Sequence, residues 1–234
     1  MLVLVDLDDT LCNTWEAMRY GILRLVPHLI RRRKFRAFFY MITARYRELE
    51  QVQELHTLDF DRLVERVLTK VYSRVSPEEL EGITELIDRV FFSNLRLYPD
   101  ALTFLRGVKG MGARLVLVTD SSSRWQRKKL EYLGIKDYFN ALVISGETGH
   151  SKLEPYNFRL ARHLFPDEEI YVVGDRDDTD MRGGKEIGAT TILVRRGYFR
   201  GRPSRYADYV VGSLTEALEV IKREHERHEK RDKA

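Results

Sequence analysis

Short apolar runs separated by amphipathic stretches organise most of this chain. The first run, Leu2 to Val5, is unbroken, which is typical of a strand buried on both faces of a parallel sheet. Similar runs predict five more strands, at residues 114–119, 141–144, 170–174, 190–194 and 209–211. Helical patterns between them run from Ser123 to Leu133, from Pro155 to Phe165 and from Met181 to Ile187. This alternation predicts an α/β fold, with a parallel sheet between two layers of helices.

A different pattern fills the chain between the first strand and residue 97. Apolar residues recur there at three- and four-residue spacing, which indicates helices, as in Trp15, Met18, Ile22, Leu25 and Val26 and again from Phe60 to Val71. Ser76 and Pro77 are typical of the start of a helix, which extends through Val90. A break at residues 98–100 precedes a short helix from Ala101 to Gly107. We therefore predict two domains: a core of residues 1–13 and 98–234, and an all-helical domain of residues 14–97 inserted into it.

The end of the chain has a third pattern of hydrophobic and polar residues. Beyond Leu214 the sequence is that of a charged amphipathic helix. We expect this helix to fray from Lys222, and we expect His225 and His228 to be solvated.

Composition indicates a globular protein of the cytoplasm. The 234 residues are 43% hydrophobic and 32% charged, and no apolar run approaches the about 18 residues of a membrane-spanning helix. Asp6 stands where a secretory signal would be apolar, so we expect no export. The one cysteine, Cys12, allows no internal disulfide, and we interpret it as a small buried residue rather than a nucleophile. We expect a monomer or a small homo-oligomer with no membrane partner.

Two groups of carboxylates directly follow predicted strands. Asp6, Asp8 and Asp9 come straight after the first run, and a second group, residues 175–180, follows the strand at 170–174. Charges at the end of a buried strand cost folding free energy unless a cation or a polar cleft takes them up, and open α/β sheets bind ligands at this edge. Two acidic strand ends would repel each other if they met without sharing a cation. A polar turn after an edge strand is the plainer alternative for the first group.

Four short motifs resemble those of the haloacid dehalogenase-like phosphohydrolases. Asp6-Leu7-Asp8-Asp9-Thr10 resembles the first motif, and Thr119 at the end of a strand resembles the second. Lys152 before a helix resembles the third, and Gly174-Asp175 with Asp180 resembles the fourth. The helical insertion resembles the cap of the phosphoglycolate-phosphatase-like members. The resemblance therefore implies a Rossmann-like three-layer α/β/α core with a parallel sheet and an inserted all-helical cap domain.

The resemblance also implies a role for each matched residue. Asp6 would be the nucleophile that forms an aspartyl-phosphate, and Asp8 the general acid and base. Mg²⁺ would be held by Asp6, the backbone carbonyl of Asp8 and Asp175, with Asp180 as a supporting carboxylate. The residues expected at the phosphoryl group of the substrate are Thr10, Thr119, Asp120, Ser121 and Lys152, of which Thr119 and Lys152 are also expected to be catalytic. Asp120 departs from the family, which often has Asn here, and adds a negative charge.

Together these features predict a Mg²⁺-dependent phosphatase that hydrolyses a small phosphorylated metabolite. A phosphomutase is the alternative within the same family, because it would use the same pair of aspartates. A third hypothesis arises from residues 17–47, where nine Lys or Arg and no acid are interleaved with aromatic residues. This basic stretch is interpreted as a nucleic-acid surface, as a collar for an anionic substrate, or as the solvated face of a helix. Nucleic-acid binding is the least favoured of the three.

Overall fold

The computed structural model describes residues 1–31, 76–166 and 169–232. Within these residues the strands are β1 (Leu2–Val5), β2 (Arg114–Thr119), β3 (Ala141–Ile144), β4 (Ile170–Gly174), β5 (Thr190–Val194) and β6 (Tyr209–Val211). They form one six-stranded sheet in the order β3-β2-β1-β4-β5-β6, and every neighbouring pair is parallel. The bounds are those that the apolar runs predict, because the inner strands β1, β2, β4 and β5 are mostly buried on both faces, whereas the edge strand β6 exposes Val210.

Helices cover both faces of the sheet. Those of the described chain are α1 (Thr14–Arg31), α2 (Pro77–Asn94), α3 (Ala101–Gly110), α4 (Ser123–Tyr132), α5 (Ser145–Thr148), α6 (Tyr156–Leu164), α7 (Arg182–Glu186) and α8 (Leu214–Asp232), with a 3₁₀ turn at Lys136–Tyr138 and a π-helical turn at Asp177–Met181. The sequence pattern missed α5 and the π-helical turn, because neither is long enough to show a hydrophobic period. No helix of the described residues is both long and apolar enough to cross a bilayer.

Alternate residues of the strands enter two separate cores, as the pleat of a strand requires. Val3 and Val5 of β1 belong to a core that includes apolar side chains of α2, α3, α4 and α8. Leu2 and Leu4 face the opposite way, into a core that includes Phe158 of α6. The sheet is therefore covered on both sides, and the predicted three-layer α/β/α architecture is confirmed.

The segment predicted as an inserted domain is described only at its two ends. α1 packs against α2, and the rings of Phe91 and Phe92 at the end of α2 lie 5.1 and 5.2 Å from the ring of Trp125 on α4. The predicted helix from Phe60 to Val71 and the part of the basic stretch after residue 31 lie outside the described residues. The two-domain division therefore stays a prediction.

The carboxyl-terminal helix differs from the expectation. α8 continues to Asp232, so the prediction of fraying from Lys222 is wrong. His225 Nδ1 lies 2.8 Å from Glu169 Oε2, and His228 Nε2 lies 3.5 Å from the other oxygen of the same carboxylate. His225 thus pairs with the residue before β4, whereas His228, which is half exposed, is solvated as expected although it lies near the same carboxylate.

Candidate active site

The three central strands bring polar residues to one edge of the sheet. Val5 at the end of β1 pairs in register with Leu117 of β2 and with Val173 of β4. Asp6 continues the pairing, because its backbone N–H donates to the Val173 carbonyl oxygen at 3.0 Å. The carboxyl ends of β1, β2 and β4 therefore lie side by side, as the ligand-binding edge of an open α/β sheet requires.

The chain turns sharply after β1 without a glycine in the turn. Asp9 takes the left-handed conformation, with φ 55°, which Asp adopts more readily than most residues. Its carboxylate accepts hydrogen bonds from the backbone N–H groups of Trp15, at 2.8 Å, and Tyr198, at 3.2 Å. Gly197 allows this approach, because a Cβ there would lie 2.3 Å from Asp9 Cβ. Asp9 thus connects the turn to the start of α1 and to the loop after β5.

Three buried carboxylates converge at this edge. Asp6, Asp175 and Asp180 each offer an oxygen, and these oxygens lie within 4.8 Å of one another. Lys152, also buried, places its Nζ 2.6 Å from Asp6 Oδ1 and 2.7 Å from Asp180 Oδ1. Gly174 makes room for this arrangement, since a Cβ at this position would lie 2.4 Å from Asp180 Oδ2. One ammonium group thus faces three carboxylates.

The protonation equilibria reflect this imbalance. Burial raises the pKa of Asp6 to about 6, with Lys152 opposing the shift and the nearby carboxylates adding to it. Burial and then repulsion from Asp6 and Asp180 raise the pKa of Asp175 well above its ordinary value. Burial alone would lower the pKa of Lys152, but Asp180 and Asp6 outweigh it and raise the pKa. The single ammonium group of Lys152 therefore does not neutralise the three carboxylates.

A divalent cation fits this donor set. The carboxylates are hard oxygen ligands, they are close enough to share one ion, and the single ammonium group leaves them under-neutralised. Oxygen-only sites of this kind suit Mg²⁺. The side chain of Asp8 does not belong to the cluster of three, and the expected contribution of its backbone carbonyl stays a prediction.

The side chain of Asp8 lies in a different environment. Lys129 Nζ lies 2.6 Å from Oδ1, Gln126 Nε2 lies 2.8 Å from Oδ2, and the Thr14 hydroxyl also donates to Oδ1. Burial alone would raise the pKa of Asp8, but Lys129, with Thr14 and Gln126, outweighs burial and lowers it. Asp6 and Asp8 are two residues apart, yet their pKa values are shifted in opposite directions.

Sequence reasoning missed Lys129 and Gln126. Both are buried on α4, one turn apart, and they occupy helical positions that continue to the apolar Leu130 and Leu133. The available signal was a pair of polar residues at core-facing positions of an amphipathic helix.

The remaining residues expected at the phosphoryl group already have partners within the protein. Thr10 donates its hydroxyl to Asp6 Oδ2 at 3.0 Å, and the hydroxyl oxygen of buried Thr119 accepts from Gln126 Nε2 at 2.7 Å. The Asp120 carboxylate accepts the backbone N–H of Lys152 at 2.9 and 3.2 Å. Ser121 has φ 132° and donates its N–H to Ser145 Oγ at 2.9 Å. Asp120, the residue that departs from the family motif, thus anchors the loop that carries Lys152.

Cys12 is fully buried, and burial raises the pKa of its thiol far above the ordinary value. Its Sγ donates to the Leu7 carbonyl oxygen at 3.5 Å. A thiol in this setting is a poor nucleophile, which confirms its interpretation as a small buried residue.

Comparison with known proteins places this geometry in context. A family model described as haloacid dehalogenase-like hydrolase matches residues 1–188. The glyceraldehyde 3-phosphate phosphatase of Methanocaldococcus jannaschii is 30% identical over 223 residues, covering 94% of this chain and 96% of that protein. The phosphoserine phosphatase of Thermus thermophilus is 29% identical, covering 93% of this chain and 97% of that protein.

Solved structures share the fold at lower identity. The HAD phosphatase from Thermococcus onnurineus superposes with a TM-score of 0.70 at 23% identity, over 94% of this chain and 97% of that chain. The putative HAD-hydrolase YfnB from Bacillus subtilis, in a structure bound to magnesium, gives a TM-score of 0.71 at 19% identity, over 94% of this chain and 98% of that chain.

Proposed function

The chain belongs to the haloacid dehalogenase-like hydrolases, and from this premise we propose that it is a Mg²⁺-dependent phosphatase of a small phosphorylated metabolite. The observation that carries the proposal is the contrast between Asp6 and Asp8. Asp6 lies in the carboxylate cluster and contacts Lys152, whereas Asp8 is held apart from it by Lys129 and Gln126. These contacts give the two neighbouring carboxylates separate places, Asp6 in the cluster that would hold the cation and Asp8 outside it, which suits a nucleophile and a proton-transfer group. A cation bound at the cluster would oppose the burial that raises the pKa of Asp6 and would favour its ionised, nucleophilic form. The ionised form of Asp8, which Lys129 favours, is the base that the second step needs.

In the proposed reaction Asp6 is the nucleophile. One of its carboxylate oxygens forms a bond to phosphorus while the bond from phosphorus to the leaving oxygen breaks, which gives an aspartyl-phosphate. Asp8 donates a proton to the leaving oxygen in this step. Asp8 then takes a proton from the water that attacks phosphorus, and inorganic phosphate and free Asp6 are released. The second step thus restores the protonated form of Asp8 that the first step uses.

The other residues of the edge would hold the transferring group. Lys152 supplies positive charge beside Asp6, and Thr119 supplies a hydroxyl group at the end of β2. Mg²⁺ would be held by Asp6, Asp175 and the backbone carbonyl of Asp8, and when bound it would supply charge neutralisation and Lewis-acid polarisation of a phosphoryl oxygen. Asp180 would support the site by orienting Lys152, whose Nζ lies 2.7 Å from it.

The relatives suggest where a substrate search should begin. Curated proteins that cover nearly all of the chain are named for glyceraldehyde 3-phosphate and phosphoserine. Both names denote small phosphate monoesters. We therefore propose these two compounds as the first members of a substrate panel.

The test is phosphate release from an aryl phosphate, with Mg²⁺ and with a chelator, followed by the panel. We expect release that needs Mg²⁺, no turnover for Asp6→Asn, and a loss of about 10²–10⁴-fold for Asp8→Asn. Asp137→Asn is the matched control, because Asp137 is exposed on the 3₁₀ turn. Near-normal turnover by Asp6→Asn would contradict the mechanism. Transfer of phosphate between positions of a sugar phosphate, without release, would identify a phosphomutase instead.

A further inference from the structure

One buried ammonium group next to the site lies outside the four motifs. Lys129 is 2% exposed, and its Nζ lies 2.6 Å from Asp8 Oδ1. The same Nζ lies 5.6 Å from the centre of the Phe91 ring. The side chain of Asp8 is 29% exposed, so part of it faces solvent while the ammonium group behind it does not.

Packing alone gives no reason for a cation at this position. Removing an ammonium group from water costs free energy, and replacing a buried ion pair by apolar side chains of similar volume is often neutral or stabilising. An apolar residue at position 129 would fill the space beside Phe91 without the desolvation cost. What Lys129 supplies and an apolar residue does not is a charged donor to one oxygen of Asp8.

Gln126 holds the other oxygen of Asp8 from the same face of α4. Its Nε2 lies 2.8 Å from Asp8 Oδ2, 2.7 Å from Thr119 Oγ1 and 2.7 Å from the Asp120 carbonyl oxygen. Carboxylate and carbonyl oxygens only accept hydrogen bonds, so the orientation of the amide is fixed. Among the described residues its Oε1 has no hydrogen-bond partner, which leaves Nε2 as the atom through which the amide acts.

We propose that Lys129 and Gln126 are positioning residues that hold the Asp8 carboxylate in one orientation for proton transfer. Lys129 contacts Oδ1, which also accepts the Thr14 hydroxyl, and Gln126 contacts Oδ2, so the carboxylate cannot rotate about its Cβ–Cγ bond without breaking a contact. This inference rests on the proposed function, in which Asp8 gives a proton to the leaving oxygen. A misplacement of about 1 Å in a reacting group can cost about 10²-fold in rate.

The test compares two substrates that differ in their need for that proton. Phenyl phosphate has a poor leaving group that needs protonation, whereas dinitrophenyl phosphate releases a stable phenolate that does not. For Lys129→Met we expect kcat/KM for phenyl phosphate to fall about 10²-fold, while kcat/KM for dinitrophenyl phosphate changes little. The ratio of the two values on one sample does not depend on how much of the protein is folded, so a loss of stability cannot imitate the result.

Further variants separate positioning from a structural role. Lys129→Arg keeps the cation, so its ratio of kcat/KM for phenyl phosphate to kcat/KM for dinitrophenyl phosphate should be close to that of the wild type. Gln126→Leu should lower this ratio, as Lys129→Met does. The matched control is Lys128→Met, because Lys128 is the adjacent lysine and is 45% exposed, paired with Asp88. In an Asp8→Asn background, adding Lys129→Met should have little further effect on phenyl phosphate, since the residue acts through Asp8.

An equal loss for both substrates in Lys129→Met would overturn the inference and leave the proposed function standing. So would a Lys129→Met effect that keeps its full size in the Asp8→Asn background. If the wild-type protein with Mg²⁺ present released phosphate from neither of these compounds nor from any member of the substrate panel, the proposed function would fall and the inference with it.

Discussion

At the scale of single residues, Asp100 joins parts of the chain that are far apart in sequence. Its carboxylate accepts hydrogen bonds from both terminal nitrogens of Arg196, at 3.0 and 2.6 Å, and from the backbone N–H of Leu214, at 2.7 Å. Arg196 also donates to the Thr10 carbonyl oxygen at 3.3 Å. One carboxylate therefore ties the start of α3 to the start of α8 and, through Arg196, to the turn that follows β1.

We predict that Asp100→Asn lowers the free energy of unfolding by about 1.5–3 kcal/mol at neutral pH, because charged hydrogen bonds to a mostly buried guanidinium are lost. Burial alone would raise the pKa of Asp100, but Arg196 and the Leu214 N–H outweigh it and lower the pKa. A carboxyl group with a lowered pKa stabilises the fold above its ordinary pKa and loses this contribution as the pH falls through the folded-state pKa. Urea unfolding at several pH values measures both effects.

The difference in the free energy of unfolding between wild type and Asp100→Asn should therefore shrink as the pH falls below about 4. Asp137→Asn, at an exposed position, should follow the wild type at every pH. A difference for Asp100→Asn that is independent of pH would contradict the assignment of the effect to the charge on this carboxylate.

The sequence predicted some of these residues and not others for a physical reason. Asp6, Thr119 and Asp175 stand at the ends of buried strands, and parallel strands bring such positions to one edge of a sheet. Arg196 and Lys129 act on partners that only the folded chain brings near, so the helical pattern marks position 129 as core-facing but identifies the partner of neither residue. At position 129, a basic residue on a charged helix resembles a surface lysine until the structure shows it buried against Asp8.

At the scale of elements, two adjacent glycines let the short helix α7 pack closely against both α6 and the sheet. A Cβ at Gly183 would lie 2.2 Å from Cε2 of Phe158 on α6. A Cβ at Gly184 would lie 2.7 Å from Thr191 Cγ2 on β5 and 3.0 Å from Val172 Cγ2 on β4. Because Phe158 is 1% exposed within its core, it has little room to move.

We predict that Gly183→Ala lowers the free energy of unfolding by about 1–3 kcal/mol, because overpacking forces Phe158 or α7 to shift. Gly110→Ala is the matched control: Gly110 is exposed at the end of α3, and nothing lies within 4 Å of a Cβ there. This control should be neutral or stabilise by up to about 1 kcal/mol, since alanine favours helices over glycine. Thermal and urea unfolding of both variants give the comparison, and equal stabilities would contradict the close packing.

The elements themselves follow from the sequence where a hydrophobic period is long enough. All six strand bounds agree with the apolar runs. α4 ends one residue earlier than predicted, and α6 is one residue shorter than predicted at each end. The π-helical turn at Asp177–Met181 has no such period. This turn carries Asp180. Its carboxylate accepts hydrogen bonds from the backbone N–H of Arg176, at 3.2 Å, and from the ammonium group of Lys152. Local contacts of buried polar groups, rather than amphipathicity, account for it.

At the scale of the whole molecule, the proposed cation site would couple folding to cation binding. Asp6 and Asp175 lie far apart in the unfolded chain and come together only when β1 pairs with β4. Without a cation, folding must bury mutually repelling carboxylates, and the raised pKa values of Asp6 and Asp175 reflect that cost. A cation that binds the folded chain and not the unfolded chain relieves it.

We therefore predict that Mg²⁺ stabilises the protein by about 2.7 kcal/mol at 100 times its dissociation constant, which corresponds to a rise in Tm of roughly 5–10 °C for a chain of this size. Asp175→Asn removes one carboxylate, so the metal-free variant should be at least as stable as the wild type and its Tm should not respond to Mg²⁺. Thermal unfolding of chelator-treated protein, titrated with Mg²⁺ at constant ionic strength, measures this, and Asp137→Asn should keep the wild-type response. An equal rise in Tm for Asp175→Asn would show that Mg²⁺ binds elsewhere, because the carboxylate cluster would then be incomplete while the stabilisation remained.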